Sequence, residues 1–195
     1  DLEQIHYPIA RLVFLQATGA VQFSVSYAAF RRLFDGHHLN FLRGDLARVL
    51  YERVKEDVQL HFGTTVESFR EGARVEITLS DGTTGEYDLL VGADGVHSQV
   101  RRLAFGPERP YTHFMGYHTA AFILNDGLRE RVPGDALSTL NLPGRQVAVY
   151  PIRGERLATF FVFKARQPAQ DLSADGAARE LAAVYEGVNW VVPCL

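Results

Sequence analysis

The pattern of apolar and polar positions divides the chain into short strands and a few amphipathic helices. Near the start, residues 12–15 and 21–25 are two apolar runs that flank the turn-like sequence Ala17-Thr18-Gly19. Two β-prone runs separated by a short interval with glycine are typical of a hairpin. We therefore predict a β-hairpin over residues 12–25.

A change of period after this hairpin indicates a helix. Apolar residues follow one another at steps of three, one, four and four in the series Leu46, Val49, Leu50, Val54 and Val58. This spacing forms one stripe of an amphipathic helix, and Asp45 in the first turn suits the positive end of the helix dipole. We predict a helix over residues 44–58.

The middle of the chain has the pattern of strands that lead into a glycine turn. Residues 58–62 and 64–69 are strand-like. Residues 75–79 alternate as in a half-buried strand, and Ser80-Asp81-Gly82 is a typical hairpin turn. The return strand ends in Asp88-Leu-Leu-Val91, a continuous apolar run that predicts a strand buried on both faces.

The second half is rich in β-prone and aromatic residues. Strand-like segments cover residues 116–124, 137–142, 147–152 and 157–163. Turn sequences at Pro143-Gly144-Arg145 and Gly154-Glu155-Arg156 join the last three, so the segments predict an antiparallel meander.

A last helix is predicted over residues 171–186. Ser173 is its predicted cap, and its inward side chains are Leu172, Ala177, Leu181, Val184 and Tyr185. Together the elements predict a mixed fold, α/β or α+β, with an antiparallel sheet as a second lobe.

Composition and charge exclude several classes of function. The 195 residues carry 20 basic and 23 acidic side chains, a net charge of −3, and no run of basic residues is longer than a pair such as Arg31-Arg32, which argues against a nucleic-acid surface. No apolar run approaches the ~20 residues needed to span a bilayer. Cys194 is the only cysteine and no histidine has metal-site spacing, so neither an internal disulfide nor a metal site is expected. We expect a soluble, cytoplasmic protein whose oligomeric state stays open.

The strongest local signal is Asp88-Leu-Leu-Val-Gly-Ala-Asp-Gly-Val-His-Ser-Gln-Val-Arg101. An apolar run leads through glycines to a helix start, where Ser98 is a suitable cap for residues 99–103. Glycines let a backbone approach a ligand, and a helix start presents free N–H groups. The carboxylate of Asp94 would repel a bare pyrophosphate, so it suits either ribose hydroxyls or the task of holding the turn in shape. An ordinary strand–turn–helix connection explains the spacing equally well.

These residues resemble the Asp-Gly motif of FAD-dependent hydroxylases of the p-hydroxybenzoate hydroxylase type. The hairpin at Ser80-Asp81-Gly82 resembles the usual approach to that motif, and Arg43-Gly-Asp-Leu46 is similar to the family's Arg-x-Asp-Leu element. Val147-Ala-Val-Tyr-Pro-Ile152 resembles a strand of the family's substrate-covering sheet, and residues 190–195 resemble the approach to its last flavin motif. The elements occur in the family's order, and the resemblance covers nearly the whole chain.

The resemblance implies a division of the chain into lobes. Residues 40–111 would be part of an FAD-binding, Rossmann-like domain. Residues 8–39 and 112–168 would form the substrate-binding β-sheet lobe, and residues 171–195 a helix and the lead-in to a missing C-terminal flavin motif.

The resemblance also implies which residues hold the cofactor. Arg43 would lie beside the ribityl or phosphate region of FAD, for which its rigid fork of donors is suited. Asp94 and Gly95 would lie near the pyrophosphate and ribose, with a further involvement in NAD(P)H use. Arg101 also matches a family position, and bonds within its own loop would make it structural. No residue is identified as catalytic.

Two flavin motifs of the family are absent from the sequence. No Gly-x-Gly-x-x-Gly is present, and Gly134-Asp135-Ala136 looks like the closing Gly-Asp motif but leads into a strand instead of a helix. The chain also begins in mid-pattern without methionine and ends on the apolar residues 190–195. We expect it to be the middle of a longer flavoprotein, inactive and unable to hold FAD tightly when isolated.

The implied function is that of an FAD-dependent monooxygenase that uses NAD(P)H and hydroxylates an aromatic or polyketide-like small molecule. Another flavin oxidoreductase of the same fold (a dehydrogenase, reductase or halogenase) and an isolated non-catalytic binding domain stay open as alternatives. Tyr150 is the predicted polar contact with the substrate. Aromatic residues that either line an apolar pocket or, as we expect for most, fill the core of the sheet are Phe114, Tyr117, Phe122, Tyr150, Phe160, Phe161 and Phe163.

Overall fold

The structure, a computed structural model, describes residues 2–124, 128–154, 156–169 and 173–194. The chain divides into two compact units. The large unit contains Asp1–Glu52 and Met115–Leu195, and the small unit contains Arg53–Phe114. In the part of the chain that is described, no helix is long and apolar enough to cross a membrane.

The helices and strands follow one another along the chain much as the sequence predicts. The strands are β1 (Arg11–Leu15), β2 (Val21–Ser26), β3 (Val66–Glu71), β4 (Val75–Leu79), β5 (Thr84–Tyr87), β6 (Tyr117–Leu124), β7 (Ala136–Leu142), β8 (Arg145–Pro151) and β9 (Leu157–Lys164). The α-helices are α1 (Leu2–Ile5), α2 (Tyr27–Arg32), α3 (Arg43–Val54), α4 (Gln99–Phe105) and α5 (Ala174–Val184).

A six-stranded sheet organises the large unit in the order β2-β1-β7-β8-β9-β6. The predicted hairpin is confirmed as the antiparallel pair β1–β2, and the four predicted strands of the second half are all present. Strands β7, β8 and β9 form a meander, but β6 lies at the far edge beside β9, and β1 pairs with β7 in parallel. The sheet is therefore mixed and not purely antiparallel, because the chain crosses it between β6 and β7 and enters β7 in the direction of β1.

One face of this sheet is covered by α5 and the segment that follows it. Ser173 caps α5 as predicted, since its hydroxyl accepts a backbone N–H of the first turn at 3.0 Å. The Tyr185 hydroxyl lies 2.6 Å from the backbone oxygen of Gln146 and 2.9 Å from that of Val162, which fastens the helix end to the sheet. Residues 171 and 172 of the predicted helix, with the inward contact assigned to Leu172, lie outside the described residues.

The core of the large unit lies under this cover. Phe161 and Phe163 are buried in it and Phe122 packs against it, which confirms that these three aromatic residues fill the core. Phe160, by contrast, lies on the opposite face and is 41% exposed. Full burial of one such side chain stabilises the folded state by about 1.5–3 kcal/mol. This apolar layer therefore fixes the shape of the sheet.

The helix predicted over residues 44–58 is present as α3 but ends at Val54. No residue of α3 is buried, and Leu50 is 55% exposed. A helix in a protein owes most of its stability to a covered apolar face. Because the described chain covers this stripe poorly, the last predicted turn, which contains Val58, is not held in a helix.

The small unit is built on the antiparallel sheet β3-β4-β5, and the predicted hairpin turn between β4 and β5 is confirmed. The prediction of a strand over residues 58–62 is wrong, since these residues form turns and irregular chain. The prediction of a buried strand over residues 88–91 is also wrong: Leu89 and Val91 are 74% and 70% exposed. No strand among the described residues pairs with this run, and an apolar run becomes a sheet strand only where a neighbour satisfies its backbone groups.

Candidate functional site

The carboxylate of Asp94 is bound by the beginning of α4. The Ser98 hydroxyl donates to one carboxylate oxygen, and the backbone N–H groups of Gln99 and Val100 donate to the other at 2.7 and 3.1 Å. Ser98 also accepts the N–H of Arg101 at 3.0 Å and so caps α4 as predicted. These bonds give the carboxylate the task of holding the glycine turn in shape, while its contact with a cofactor stays a prediction.

The same hydrogen bonds shift the ionisation of Asp94. Bonds from Ser98 first, and from the backbone of Val100 and Gln99, stabilise the charged form and lower the pKa of Asp94 from 3.8 to about 2. A depressed pKa in the folded state contributes stability above the unfolded value and loses it as the pH falls through the folded value. The loop should therefore keep its structure down to about pH 4 and lose this contribution between about pH 4 and pH 2.

An NMR titration checks this prediction. The amide signals of Gln99 and Val100, which report on protonation of the Asp94 carboxylate, should shift with a midpoint at about pH 2. In Asp94→Asn, which has no proton to gain, this transition should be absent. A midpoint at the ordinary aspartate value would contradict the bonding described for the loop.

Two glycines let the loop pack closely on one side and leave it open on the other. A Cβ on Gly92 would lie 2.9 Å from the Cβ of Val100 and so collide with α4. Gly95 has φ +84°, and a Cβ added there would meet no atom within 4 Å. Among the described residues, the backbone N–H groups of residue 93 and of residues 95–97 have no acceptor. A ligand can therefore approach the loop backbone on the Gly95 side.

Gly92→Ala is predicted to destabilise the small unit by about 1–3 kcal/mol, the usual cost of forcing a carbon atom into a packed contact. Gly72→Ala is the matched control in the same unit, because its added Cβ would lie at an ordinary 3.5 Å from the nearest atom. Denaturant unfolding followed by circular dichroism measures both variants. Equal losses would show that the contact between Gly92 and Val100 is not tight.

The side chains next to the glycine turn bind within the small unit. Arg101 donates to the backbone oxygen of Val96, and its guanidinium carbon lies 5.8 Å from the centre of the Tyr111 ring. His97, whose side chain is 71% exposed, places Nδ1 at 2.9 Å from a carboxylate oxygen of Glu108. These contacts agree with a structural role for Arg101. Across the described ranges, no group of three or more His, Cys, Asp or Glu residues could hold a metal ion.

Arg43 is the first residue of α3 and belongs to the large unit. Its side chain is exposed and has no hydrogen-bond or ion-pair partner within the described part of the chain. The nearby carboxylate of Asp45 pairs instead with Arg48 at 3.0 Å. A free guanidinium at a helix start suits an anionic group of a cofactor, and this contact also stays a prediction.

The second face of the six-stranded sheet, opposite the one that α5 covers, carries Tyr150. Cross-strand pairing places one row of side chains across all six strands: Phe23, Phe14, Thr139, Ala148, Phe160 and Ala121. The next row on the same face is Val25, Leu12, Leu137, Tyr150, Ala158 and Ile123. Aromatic and small apolar residues thus surround the predicted substrate contact.

Tyr150 has a partner, Tyr7, that the sequence analysis missed. The two rings stack at 14° with their centres 6.4 Å apart. Burial, then the neighbouring phenols and Asp45, and the hydrogen bond to Tyr150 raise the pKa of Tyr7 to about 12, and burial also raises the pKa of Tyr150. The alternation of Ile5, Tyr7 and Ile9, all of which are buried, is the signal that could have shown that Tyr7 faces the protein interior.

A hydrogen-bond network also holds the loop that precedes α3. The Tyr27 hydroxyl donates to Asn40 Oδ1 at 3.0 Å, so the His38 Nδ1 that lies 2.6 Å away donates to the phenol oxygen. The backbone oxygen of Asn40 accepts the N–H of Tyr7 at 2.9 Å. Because Arg43 follows directly on this loop, the network positions the start of α3. No pattern in the sequence pointed to it.

Comparison with known proteins identifies the family. A family model described as an FAD binding domain matches residues 37–187. The flavin-dependent monooxygenase eupH of Phoma sp is 29% identical over 211 residues, which cover 98% of this chain and 47% of that protein. The 6-hydroxynicotinate 3-monooxygenase of Pseudomonas fluorescens is 31% identical over 133 residues, which cover 66% of this chain and 34% of that enzyme.

A solved structure shows the same fold. Klebsiella pneumoniae HpxO complexed with FAD and uric acid aligns with a TM-score of 0.73 and 24% identity over 98% of this chain and 49% of that one. The chain spans less than half the length of these relatives. The resemblance read from the sequence is confirmed: because the family match covers well over half of the chain, the chain belongs to the family described as an FAD binding domain, and similar proteins are named as flavin-dependent monooxygenases.

Proposed function

We propose that this chain is the central part of an FAD-dependent monooxygenase that oxidises NAD(P)H and inserts one atom of O₂ into an aromatic or polyketide-like small molecule. The observation that carries the proposal is the Asp94 loop. Its carboxylate is bonded internally to α4, while the backbone N–H groups of residue 93 and of residues 95–97 stay open to a ligand. In a family defined by FAD binding, such a row of free donors supports a cofactor contact through the backbone.

The described residues fit FAD by their chemistry. Gly95 leaves the loop backbone accessible, and Arg43 offers an unpaired guanidinium that suits a phosphate oxygen. We propose that both contact FAD and that Asp94 acts on the cofactor through the loop that it holds. When bound, FAD supplies the redox and oxygen chemistry, and the protein binds it, orients it and excludes water.

The reductant and the location belong to the same proposal. NAD(P)H is the reductant that the family resemblance implies for the Asp-Gly motif. A cytoplasmic location would give access to reduced nicotinamide and keep the single cysteine of the chain reduced.

The second face of the sheet supports the substrate part of the proposal. Tyr150, held by Tyr7, presents a phenol among apolar residues, and binding sites for small molecules combine an apolar lining with a few placed polar groups. Among the similar proteins, one is named for 6-hydroxynicotinate and another is complexed with uric acid. Both compounds are planar rings, and we propose a planar ring compound as the substrate here.

The rest of the enzyme is proposed to lie in sequence that flanks this chain. The chain spans less than half of its curated relatives, and it leaves Leu50, Leu89 and Val91 exposed. Flanking segments that cover them would bury apolar surface and give residues 88–91 a strand partner. The isolated chain is therefore expected to be inactive.

The test uses the full-length protein from the natural gene. It should carry FAD when purified, should oxidise NAD(P)H faster when a planar phenol is added, and should place one labelled oxygen atom from ¹⁸O₂ in the product. Flavin reduction without a labelled product would favour a dehydrogenase or reductase, and a halogenated product a halogenase. A colourless, monodisperse protein would favour a non-catalytic binding domain. Each of these three results would overturn the proposal.

A further inference from the structure

The loop that leads into α3 is held at Asn40. The backbone N–H of Asn40 donates to Nδ1 of His6 at 2.9 Å, and its backbone oxygen accepts the N–H of Tyr7, also at 2.9 Å. The side-chain oxygen of Asn40 accepts the Tyr27 hydroxyl at 3.0 Å. The segment after α1 and the first residue of α2 therefore both bind this one residue, and together they fix the position of the loop.

The position of the loop determines where α3 begins. The backbone oxygen of Leu42 accepts the N–H groups of Asp45 and Leu46 at 3.0 and 3.1 Å, and so makes the first hydrogen bonds of the helix. The Leu42 side chain packs against the buried cluster that contains Tyr7. Arg43 follows directly as the first residue of α3. A shift of the loop would therefore move the helix turn that carries Arg43.

The bond between His6 and Asn40 requires a neutral imidazole. A backbone N–H can only donate, so Nδ1 of His6 accepts and carries no proton, and the single ring proton is on Nε2. The backbone oxygen of Asn40 lies 3.2 Å from the same Nδ1. A proton on Nδ1 would be drawn to this oxygen and would leave the N–H of Asn40 without its acceptor. The position of the loop is thus coupled to the charge of His6.

The charged form of His6 gains no counter-charge from the described surroundings. Charged or titratable groups on the neighbouring elements are Glu3 on α1, Arg31 on α2, His37 and His38 in the loop, and Arg43 and Asp45 on α3. Asp45 pairs with Arg48, and within the described ranges no carboxylate forms an ion pair with His6. Arg31 adds a cation to the loop, where it donates to the backbone oxygen of Gly36 at 2.6 Å. A proton on His6 therefore breaks a bond without forming an ion pair.

We propose that His6 is a positioning residue for the cofactor contact of Arg43, and that protonation of its Nδ1 weakens FAD binding by releasing the loop of residues 36–42. The inference rests on the proposed function, since it takes Arg43 as a contact of FAD. The neutral ring favours the loop conformation that presents Arg43, so a proton at His6 and FAD oppose each other's binding. FAD affinity should therefore fall as the pH drops through the range from about pH 8 to pH 5 in which a histidine gains its charge.

The test titrates the full-length apoprotein with FAD, followed by fluorescence, at about pH 8 and about pH 5.5. Wild type should bind FAD about 3–10-fold more weakly at the lower pH, the worth of one hydrogen bond. His6→Asn places an amide oxygen near the position of Nδ1, and an amide gains no proton in this range. This variant should bind like wild type at about pH 8 and lose the fall at the lower pH. His6→Leu has no acceptor and should bind about 3–10-fold more weakly at both pH values.

His37→Asn is the matched control, because His37 is an exposed histidine of the same loop whose side chain has no hydrogen-bond partner in the described part of the chain. It should keep the full pH dependence of wild type. The Asp94 loop does not contribute to the change, since the pKa of Asp94 is about 2. The amide NMR signal of Asn40 in the apoprotein is a readout without cofactor. It should shift with pH in wild type and in His37→Asn but not in His6→Asn.

Three results overturn the inference, even where labelled oxygen supports the monooxygenase. The first is a wild-type affinity for FAD that does not fall with pH. The second is a His6→Asn variant that keeps the pH dependence of wild type, and the third is a His6→Leu variant that binds FAD normally. The expected pattern of FAD affinities without any oxygenated product would instead overturn the proposed function and leave the role of His6 standing.

Discussion

In the full-length flavoprotein, Asp94→Ala is expected to weaken FAD binding by about tenfold or more, even if the carboxylate never touches the cofactor. The variant removes the acceptor for the Ser98 hydroxyl and for the backbone N–H groups of Gln99 and Val100. Those bonds hold the loop in the conformation that leaves the N–H groups of residue 93 and of residues 95–97 open. Without them the cofactor has to order the loop as it binds, which is an entropic cost. Fluorescence titration of the apoprotein with FAD measures the effect.

Asp81→Ala is the matched control for this prediction. Asp81 also precedes a glycine in the small unit, and its carboxylate accepts the backbone N–H of Thr83 at 2.9 Å in the turn between β4 and β5. Its loss should loosen that turn but leave FAD affinity unchanged. If both variants lose FAD to the same extent, the effect of Asp94 is a general loss of structure and the loop has no special part in binding.

The strands of the large unit could be predicted because the same chain covers their apolar positions. Phe161 and Phe163, for example, alternate with Phe160 and meet α5 and the segment after it. The apolar run at residues 88–91 encodes a strand just as clearly, yet no strand in the described part of the chain pairs with it. The local sequence pattern therefore predicts a strand correctly only where the chain also contains the neighbouring strand that pairs with it. The sequence did not predict the parallel pairing of β1 with β7 for another reason. The order of strands in a sheet depends on where a connection crosses the sheet, and local pattern does not encode this.

The candidate site shows the same division between local and long-range information. Asp94 and Gly95 could be found from the sequence because their motif is continuous, but the choice between the two roles of the carboxylate required the positions of Ser98 and the α4 backbone. Tyr7 could not be assigned to Tyr150, because the two residues lie far apart along the chain and only folding stacks their rings. Contacts of this kind leave no trace in residue spacing.

Arg43→Ala is expected to weaken FAD binding in the full-length protein by about 10–100-fold, the range for losing a hydrogen-bonded ion pair with a phosphate. The expectation rests on two features of the residue: its guanidinium has no partner in the described part of the chain, and it stands at the first residue of α3, where the helix dipole also favours an anion. Arg43→Lys should fall between wild type and Arg43→Ala, since an ammonium keeps the charge but not the bidentate fork.

Arg48→Ala is the control that separates a cofactor contact from a loss of positive charge. Arg48 stands on the same helix, and its exposed ion pair with Asp45 is of the kind that contributes little. The variant should therefore keep normal FAD affinity. The loss in Arg43→Ala should shrink as salt is raised, because screening weakens the wild-type contact while the variant has none to lose. Equal affinities for FAD in the two alanine variants would show that Arg43 does not contact the cofactor.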